Sequence, residues 1–258
     1  MSGGRDQRPD QGRVFDELVD FFDAMARSRW YGPLLQDFAV WAAGDLPPGG
    51  RVLDVGCGPG HLLLALAPRF DEAVGLDISP GMLDRAAANA RAAGLERIRW
   101  VQGDAARLPF ADGTFDLAVS SLVLFLLDDP AAAAAELARV TAPGGRAAVL
   151  VPSNLCSPDS AAGLARRRGF QGFDAESLVQ WSRVAARRRR DDPESLAHLL
   201  ESAGLEAVDI WPRLEGLALL ARGRRPGGGT GGKSGGGPAG EPGVGPGVGP
   251  GGGETGGR

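Results

Sequence analysis

The chain has 258 residues, and its formal net charge at pH 7 is -4. A chain of this length suits one well-buried domain with appendages rather than two full domains. The mildly acidic balance argues against general nucleic-acid binding and favours a small-molecule substrate, and the 2 cysteines are too few for a disulfide scaffold or a cysteine-based metal site.

The polar ends of the chain indicate neither export nor membrane insertion. Residues 1–10 lack the apolar core of a signal peptide, and no apolar run reaches the roughly 18 residues of a membrane span. We therefore expect a cytoplasmic protein. Residues 223–258 are rich in glycine and proline, with a repeated Pro-Gly-Val-Gly, and such a composition predicts a disordered tail.

Residues 1–44 are predicted to form a helical cap ahead of the sheet. From Gln11 to about Arg29, apolar residues recur at three- and four-residue steps, which is typical of an amphipathic helix. Pro33 opens a second helix that ends near Gly44. The aromatic residues here suit the core or the wall of a cleft, and we predict cleft contacts for Trp30 and Tyr31, which lie at the joint between the helices.

The segment RVLDVGCGPGH at residues 51–61 predicts a buried strand, a glycine turn and the start of a helix. Glycines let the backbone approach a ligand closely, and the free N–H groups of a helix start favour a polar or anionic ligand group. The alternative is an ordinary strand-to-helix turn without a ligand. The spacing is G-x-G-x-G, whereas a dinucleotide-binding turn reads G-x-G-x-x-G.

A second strand is predicted from Ala73 to Ser79, followed by a helix from Pro80 to about Ala93 with Ser79 as its N-cap. Asp77 lies at the tip of this strand. A carboxylate in that position can accept hydrogen bonds from both hydroxyls of a ribose. The alternative is a solvated loop carboxylate.

Further elements follow in the same alternating order. Strands are predicted at residues 97–102, 115–121 and 146–151, with a helix at 130–140. In a parallel sheet the carboxyl ends of such strands share one edge, where open α/β sheets bind ligands. The apolar run 122–127 is predicted to form a wall beside that edge.

The last part of the chain is predicted to hold a lid and a hairpin. Residues 152–191 are rich in arginine and suit a lid-like insertion, in which the arginines are either solvated or face an anionic substrate group. A helix at 193–203 precedes strands at 205–211 and 216–221. Because a parallel crossover needs about a dozen residues or more, these two strands must pair antiparallel.

Together these motifs resemble the class I S-adenosylmethionine-dependent methyltransferases. The glycine turn is similar to their first motif. The segment LPFADGTFD at residues 108–116 and the Pro-Gly-Gly turn at 143–145 resemble the methyltransferase type 11 branch, which includes ubiquinone and menaquinone C-methyltransferases. The resemblance covers residues 45–222 and implies a Rossmann-like α/β fold, in which helices cover both faces of a seven-stranded, mostly parallel sheet with a C-terminal antiparallel hairpin.

The resemblance implies S-adenosyl-L-methionine as the cofactor and no metal. In it, Asp77 accepts from the ribose, Asp104 accepts from the adenine amino group, and Ala105 supplies a backbone N–H. The predicted cofactor-binding residues are Asp54, Gly56, Cys57, Gly58, Gly60, Asp77, Ile78, Met82, Asp104, Ala105 and Ser120. Phe125 joins Trp30 and Tyr31 as a predicted substrate contact.

The predicted reaction is methyl transfer to oxygen, nitrogen or carbon of a small molecule by in-line displacement. His61 is interpreted as a helix-start residue rather than a base, and His198 as a surface residue, so no catalytic residue is predicted. One alternative is an NAD(P)-dependent oxidoreductase, which the glycine spacing and the hairpin disfavour. Another is a non-catalytic regulator that keeps the fold and the cofactor site.

Overall fold

A seven-stranded sheet organises residues 11–227, the part of the chain that the computed structural model describes. Its strands are β1 Arg51–Val55, β2 Glu72–Asp77, β3 Arg99–Gln102, β4 Phe115–Ser121, β5 Thr141–Pro152, β6 Glu206–Arg213 and β7 Ala218–Arg224. They lie in the order β3-β2-β1-β4-β5-β7-β6. Strands β1 to β5 are parallel, whereas β7 is antiparallel to both β5 and β6. The predicted Rossmann-like sheet with its C-terminal antiparallel hairpin is confirmed.

Helices cover both faces of this sheet. Within residues 11–227 they are α1 Gln11–Asp16, α2 Val19–Ala26, α3 Tyr31–Ala43, α4 His61–Leu66, α5 Pro80–Ala92, α6 Pro130–Val140, α7 Pro158–Arg168, α8 Phe173–Ala186 and α9 Pro193–Ser202. Short 3-10 turns lie at Ala67–Arg69, Leu124–Leu126 and Leu214–Gly216. A membrane-spanning helix would need a longer apolar stretch than any helix within residues 11–227 provides.

Two apolar clusters, one on each face, form the core. Successive strand residues point to opposite faces, so Val52 belongs to a cluster with residues of α2, α3, α4, α7 and α8, whereas its neighbour Leu53 belongs to a cluster with residues of α6 and α9. In β7, Leu220 belongs to the same cluster as Val52, and Leu219 belongs to the same cluster as Leu53. The helices of the predicted cap and of the predicted lid thus share one core with the sheet, and residues 11–227 belong to one compact unit.

The first predicted helix is in fact two. A break at Glu17 and Leu18 separates α1 from α2, and Leu18 has φ -107° and ψ 6° there. The carboxylate of Asp16, just before the break, accepts hydrogen bonds from Ser79 Oγ at 2.5 Å and Gly81 N at 2.9 Å. These contacts attach α1 to the start of α5. Hydrophobic periodicity alone does not reveal such a tertiary contact.

The predicted end of the domain at residue 222 and start of the tail at 223 were wrong by a few residues. Strand β7 continues to Arg224, which pairs with Arg146 of β5. Arg225 then donates from Nη1 to the carbonyls of Arg139 and Thr141. The pairing of Arg224 and the side chain of Arg225 thus belong to the folded domain, although the glycine content had predicted that the tail begins at residue 223. Residues 1–10 and 228–258, including most of that predicted tail, lie outside the described residues.

Candidate active site

A cavity of about 510 Å³ lies at the carboxyl ends of β1 to β4. Its lining combines the segments that leave these strands, here called the polar half, with apolar residues from α1, α2 and α3 and from the segment after β4, here called the apolar half. The volume falls in the range of about 300–1,000 Å³ that small-molecule sites occupy. The position agrees with the rule that open α/β sheets bind ligands beyond the carboxyl ends of their strands.

The glycine turn after β1 forms the floor of the polar half. Gly56, Gly58 and Gly60 have φ angles of 70°, 50° and 84°, which residues with a Cβ rarely adopt. A Cβ on Gly56 would lie 2.3 Å from Cγ2 of Val123, whereas one on Gly58 would meet no atom within 4 Å. The turn therefore packs tightly at Gly56 and is open at Gly58, where it lines the cavity.

Asp77 ends β2 and joins it to the glycine turn. Its carboxylate accepts hydrogen bonds from Gly58 N at 2.8 Å and from Ser79 N at 2.9 Å. Burial raises the pKa of Asp77, although these backbone donors partly offset the effect. Each carboxylate oxygen has more than one lone pair, so Asp77 can still accept from a ligand in the cavity that it lines.

Asp54 of β1 also lines the cavity, in a more unusual state. The residue is 1% exposed, and neither carboxylate oxygen has a hydrogen-bonding partner in the described part of the chain. Burial, with a smaller contribution from the charge of Asp77, raises the pKa of Asp54 to about 8. A buried carboxylate without donors is costly unless a cation or a donor satisfies it.

Asp104 follows β3 and lies at the exposed side of the same cavity, next to Ala105. One oxygen of its carboxylate accepts from Ala106 N at 2.9 Å, which holds the side chain in the loop. Asp54, Gly58, Asp77 and Asp104 thus line one cavity, as a single nucleoside site requires. The predicted residues that line it are Tyr31, Asp54, Gly56, Cys57, Gly58, Asp77, Ile78, Met82, Asp104 and Ala105.

Two residues predicted to bind the cofactor lie outside the cavity wall. Gly60 packs beneath the turn, where a Cβ would lie 2.9 Å from the Trp100 ring and 3.0 Å from Ala86 Cβ. Ser120 is fully buried, and its hydroxyl donates to the carbonyl of Val55 at 2.9 Å. Its neighbour Ser121 lines the cavity instead. A period of two along β4 explains why one serine faces the cavity and the other does not.

Two predicted substrate contacts also belong to the core. Trp30 is 1% exposed, donates from Nε1 to Ser177 Oγ at 3.0 Å, and stacks on Trp181 with ring centroids 5.3 Å apart. Phe125 lies in a 3-10 turn and packs in the cluster on the α3 face. Both predictions placed an aromatic residue at the correct end of the sheet, but its ring points into the core.

Part of the apolar half comes from the run 122–127, which the sequence predicts as a wall: Leu122, Val123, Leu126 and Leu127 line the cavity. The rest is formed by residues that the sequence did not single out as cavity residues, namely Val14, Phe15, Phe22, Met25, Ala26 and Leu35. Tyr31 adds a hydroxyl, 2.9 Å from Ser121 Oγ, and burial raises its pKa far above the ordinary value. The apolar stripe of the first predicted helix was the signal for this wall, since a helix that covers a cleft must turn that stripe towards it.

His61 also lines the cavity, from the first position of α4. Its Nε2 lies 2.8 Å from Oδ1 of Asp23, a buried residue of α2. Arg27 and Arg85 donate to the other oxygen of Asp23, each at 2.7 Å. The interpretation of His61 as a helix-start residue is therefore correct for the backbone, but the side chain forms a His–Asp pair at the cavity.

The residues of the polar half fit S-adenosylmethionine. The cofactor carries positive charge on its sulfonium and ammonium groups, for which the unpartnered carboxylate of Asp54 is a suitable neighbour. The open space above Gly58 gives room for close approach, and Asp77 has acceptor capacity for ribose hydroxyls. Among residues 11–227, no cluster of three or more His, Cys, Asp or Glu side chains could hold a metal ion.

Comparison with known proteins identifies the family. Residues 53–149 match the family model described as a methyltransferase domain. The demethylmenaquinone methyltransferase of Renibacterium salmoninarum is 32% identical over 223 residues, which cover 83% of this chain and 82% of that protein. The demethylmenaquinone methyltransferase of a Mycobacterium species is 34% identical over 212 residues, 78% of this chain and 82% of that protein.

A solved structure supports the fold. Phosphoethanolamine N-methyltransferase 2 of Haemonchus contortus, determined with phosphomonomethylethanolamine and S-adenosylhomocysteine, has a TM-score of 0.62 at 13% identity and covers 84% of this chain and 59% of that one. These findings remove the oxidoreductase and regulator alternatives. The chain belongs to the class I S-adenosylmethionine-dependent methyltransferases and is an enzyme of that family.

Proposed function

We propose that this enzyme transfers the methyl group to a small, largely apolar molecule that binds in the apolar half of the cavity. The observation that carries this proposal is the division of the cavity wall. Phe15, Phe22, Met25 and Leu126 contribute apolar side chains from α1, α2 and the segment after β4, and the strand ends contribute the polar groups. An apolar wall with few polar groups is typical of sites for small organic ligands. Such a wall offers no basic track for a nucleic acid.

We assign the polar half to the cofactor. Asp77 accepts from the ribose hydroxyls, Asp104 and the backbone N–H of Ala105 bind the adenine, and the turn from Gly56 to Gly58 lies along the methionine part. Asp54 stays near the positive charges. The lining of the cavity by all of these residues supports the assignment, as does the free acceptor capacity of Asp54 and Asp77.

When bound, the cofactor would supply a methyl group carried on a sulfonium, so that a nucleophile of the acceptor could bond to the methyl carbon as the carbon–sulfur bond breaks in line and S-adenosylhomocysteine leaves. The chain contributes mainly position. Holding two reactants in the correct geometry can supply several kcal/mol by removing translational and rotational freedom. Helices α1 and α2 contribute apolar side chains to the cavity wall, and an apolar wall does not oppose a reaction in which the sulfonium charge disappears.

Among acceptor classes, a hydroxylated aromatic ring best matches the lining of the cavity. Two phenylalanines, Phe15 and Phe22, line the apolar half together with the hydroxyls of Tyr31 and Ser121. The curated relatives described above are named demethylmenaquinone methyltransferases. Reduced demethylmenaquinone is therefore the first compound to test, and transfer to oxygen, nitrogen or carbon of other small molecules is the wider class.

We also infer a reducing compartment such as the cytoplasm. Cys57 and Cys156 are both buried as free thiols, and burial raises the pKa of each. Neither thiol is therefore poised for disulfide exchange.

The segment 152–191, which forms α7 and α8, is assigned as a lid because Arg188 at its end lines the cavity.

The test uses S-adenosylmethionine with a labelled methyl group. Purified enzyme is incubated with reduced demethylmenaquinone and, separately, with a small-molecule extract, and labelled products are separated by chromatography. We expect label in an apolar small molecule for the wild type and none for Asp77→Ala, which lacks the ribose acceptor. Asp84→Ala, a change in an exposed residue of α5 away from the cavity, is the matched control and keeps activity. Label in protein or RNA alone would contradict the proposal.

A further inference from the structure

His61 combines access to the cavity with a fixed ring orientation. Its side chain is 20% exposed and lines the cavity. The carboxylate of Asp23 can only accept a hydrogen bond, so Nε2 of His61, at 2.8 Å, carries the proton of that bond. In the neutral ring the lone pair is then on Nδ1, and Nδ1 has no hydrogen-bonding partner among residues 11–227.

Asp23 is held as an anion. The residue is 2% exposed, and burial raises its pKa, but hydrogen bonds from His61, Asn89, Arg85 and Arg27 outweigh burial and lower the pKa below its ordinary range. A fixed carboxylate on the far side of an imidazole selects its tautomer and stabilises the imidazolium that forms when the ring takes a proton. Elements α2, α4 and α5 all contribute to this arrangement.

The other ionisable groups that line the cavity are less suited to take a proton from an acceptor. Burial raises the pKa of Tyr31 and of Cys57, so both remain protonated and neither is a base. Asp54 and Asp77 lie at the strand ends, in the half assigned to the cofactor. Asp104 and Asp128 are exposed, and Arg188 is a cation.

Resting on the proposed function, we propose that His61, oriented by Asp23, is the general base for a hydroxylated aromatic acceptor. The O–H bond of the acceptor breaks, its proton bonds to Nδ1 of His61, and the electron pair stays on the oxygen. The imidazolium faces Asp23, and the phenolate is the nucleophile that the methyl transfer then consumes. The proton leaves to water through the exposed part of the ring. A ring that served only to attach α2 to α4 would not need to line the cavity.

The test measures this proton transfer directly, with 4-nitrophenol as the probe, because its visible absorbance reports the ionised form. The probe is titrated into the S-adenosylhomocysteine complex at a pH where it is mostly protonated in water. We expect the wild type to ionise the bound probe and His61→Gln to reduce the ionised fraction at least fivefold. His198→Gln changes the other histidine, which is exposed on α9, and behaves as the wild type.

Asp23→Asn separates orientation from charge, since asparagine keeps the shape but cannot stabilise the imidazolium. We expect it to reduce the ionised fraction as well, while the affinity for S-adenosylhomocysteine changes less than twofold. Nitrogen NMR of the wild-type ring provides a second readout, with a protonated Nε2 and a bare Nδ1 in the neutral form. Thermal unfolding of each variant establishes that it is folded.

The proposal is overturned if His61→Gln ionises the probe as the wild type does, if the wild type fails to bind or ionise it, or if the neutral ring carries its proton on Nδ1. A large loss of S-adenosylhomocysteine affinity in His61→Gln would instead make His61 a cofactor ligand. Failure of the proposed function looks different. In that case no small molecule gains a labelled methyl group, although the probe is still ionised by the wild type and not by His61→Gln.

Discussion

Asp54 lies in β1 with both carboxylate oxygens buried and unpartnered in the described part of the chain. Its pKa of about 8 means that the ligand-free enzyme holds a neutral carboxylic acid there at neutral pH. In the unfolded chain the same group ionises near the ordinary value of 3.8. At a pH between these two pKa values, folding is therefore coupled to the uptake of one proton by Asp54. This coupling lowers the free energy of unfolding as the pH rises.

This difference predicts a pH-dependent stability that Asp54→Asn abolishes. Because the folded pKa is raised, the stabilising contribution is complete below about pH 4 and is lost as pH rises through about 8. We expect the wild type to lose on the order of 1.4 kcal/mol of unfolding free energy per pH unit, relative to Asp54→Asn, between about pH 5 and 8. Denaturant unfolding of both proteins across this range measures it. Parallel curves would contradict the assigned pKa.

The same residue predicts how cofactor affinity depends on pH. A positively charged ligand group favours the anion, so binding below about pH 8 must release a proton from Asp54. We expect affinity for S-adenosylmethionine, which carries both the sulfonium and the ammonium charge, to rise with pH and to level off above about 8, with a smaller rise in Asp54→Asn. Calorimetry in buffers of different ionisation enthalpy reports the released proton. A pH-independent affinity in the wild type would show that Asp54 does not face the cation.

Gly58 and Gly94 separate ligand approach from backbone strain. Their φ angles are 50° and 70°, and a Cβ at either position would meet no atom within 4 Å, but only Gly58 lines the cavity. We expect Gly58→Ala and Gly94→Ala each to lower stability by about 1–2 kcal/mol, the cost of a left-handed alanine. Only Gly58→Ala should also weaken S-adenosylhomocysteine binding. If titrations show that the two variants bind S-adenosylhomocysteine equally well, the ligand does not closely approach Gly58.

At the level of elements, α8 is attached to the N-terminal helices by a buried aromatic stack. The Trp30 ring lies on Trp181, its Nε1 donates to Ser177 Oγ at 3.0 Å, and Asp174 at the start of α8 accepts from Arg29 N. These contacts explain why Trp30 is unavailable to a substrate. They also join the predicted lid to the predicted cap, so both cover one face of the sheet.

Ser177→Ala tests this structural role of Trp30. The change leaves a buried indole N–H without its partner, which costs about 1–3 kcal/mol. Ser182→Ala, one turn further along α8, removes only a bond from its hydroxyl to the carbonyl of Val179 in the same helix, and we expect a much smaller loss. Thermal unfolding compares the two. Neither variant should alter the affinity for S-adenosylhomocysteine. A loss of this affinity in Ser177→Ala alone would indicate that Trp30 belongs to the binding site after all.

Element prediction succeeded where local signals agree with the fold. Helix α6 and strand β4 have the predicted bounds, and Ser79 caps α5 by accepting from Met82 N, as predicted. The prediction of elements failed where a contact between residues distant in sequence determines where a helix ends. Asp16 bonds to Ser79 across more than sixty residues, and this contact accompanies the break between α1 and α2. Periodicity records which face is apolar, and it contains no information on such partners.

For the molecule as a whole, the mostly parallel sheet and the convergence of the glycine turn, Asp77 and Asp104 on one edge were predictable, because parallel strands end at the same side. The His61–Asp23 pair and the neutral state of Asp54 were not. The pair depends on how α2 packs beside α4, and the state of Asp54 depends on its burial. Burial and partners set the charge of a side chain, whereas the sequence gives only its type.

The end of the folded domain is the last whole-molecule feature, and it can be located by truncation. At the edge of β5, Gly223 and Arg224 pair with Ala147 and Arg146, and Arg225 donates to two carbonyls beside α6. Truncation after Arg222 removes these bonds, and we expect a loss on the order of 1 kcal/mol for each. Truncation after Gly227 keeps them, and its composition predicts an unchanged unfolding temperature. Scanning calorimetry of both truncated chains measures the difference. Equal stability would move the boundary back to residue 222, whereas a loss in the longer chain would give the glycine-rich segment a structural role.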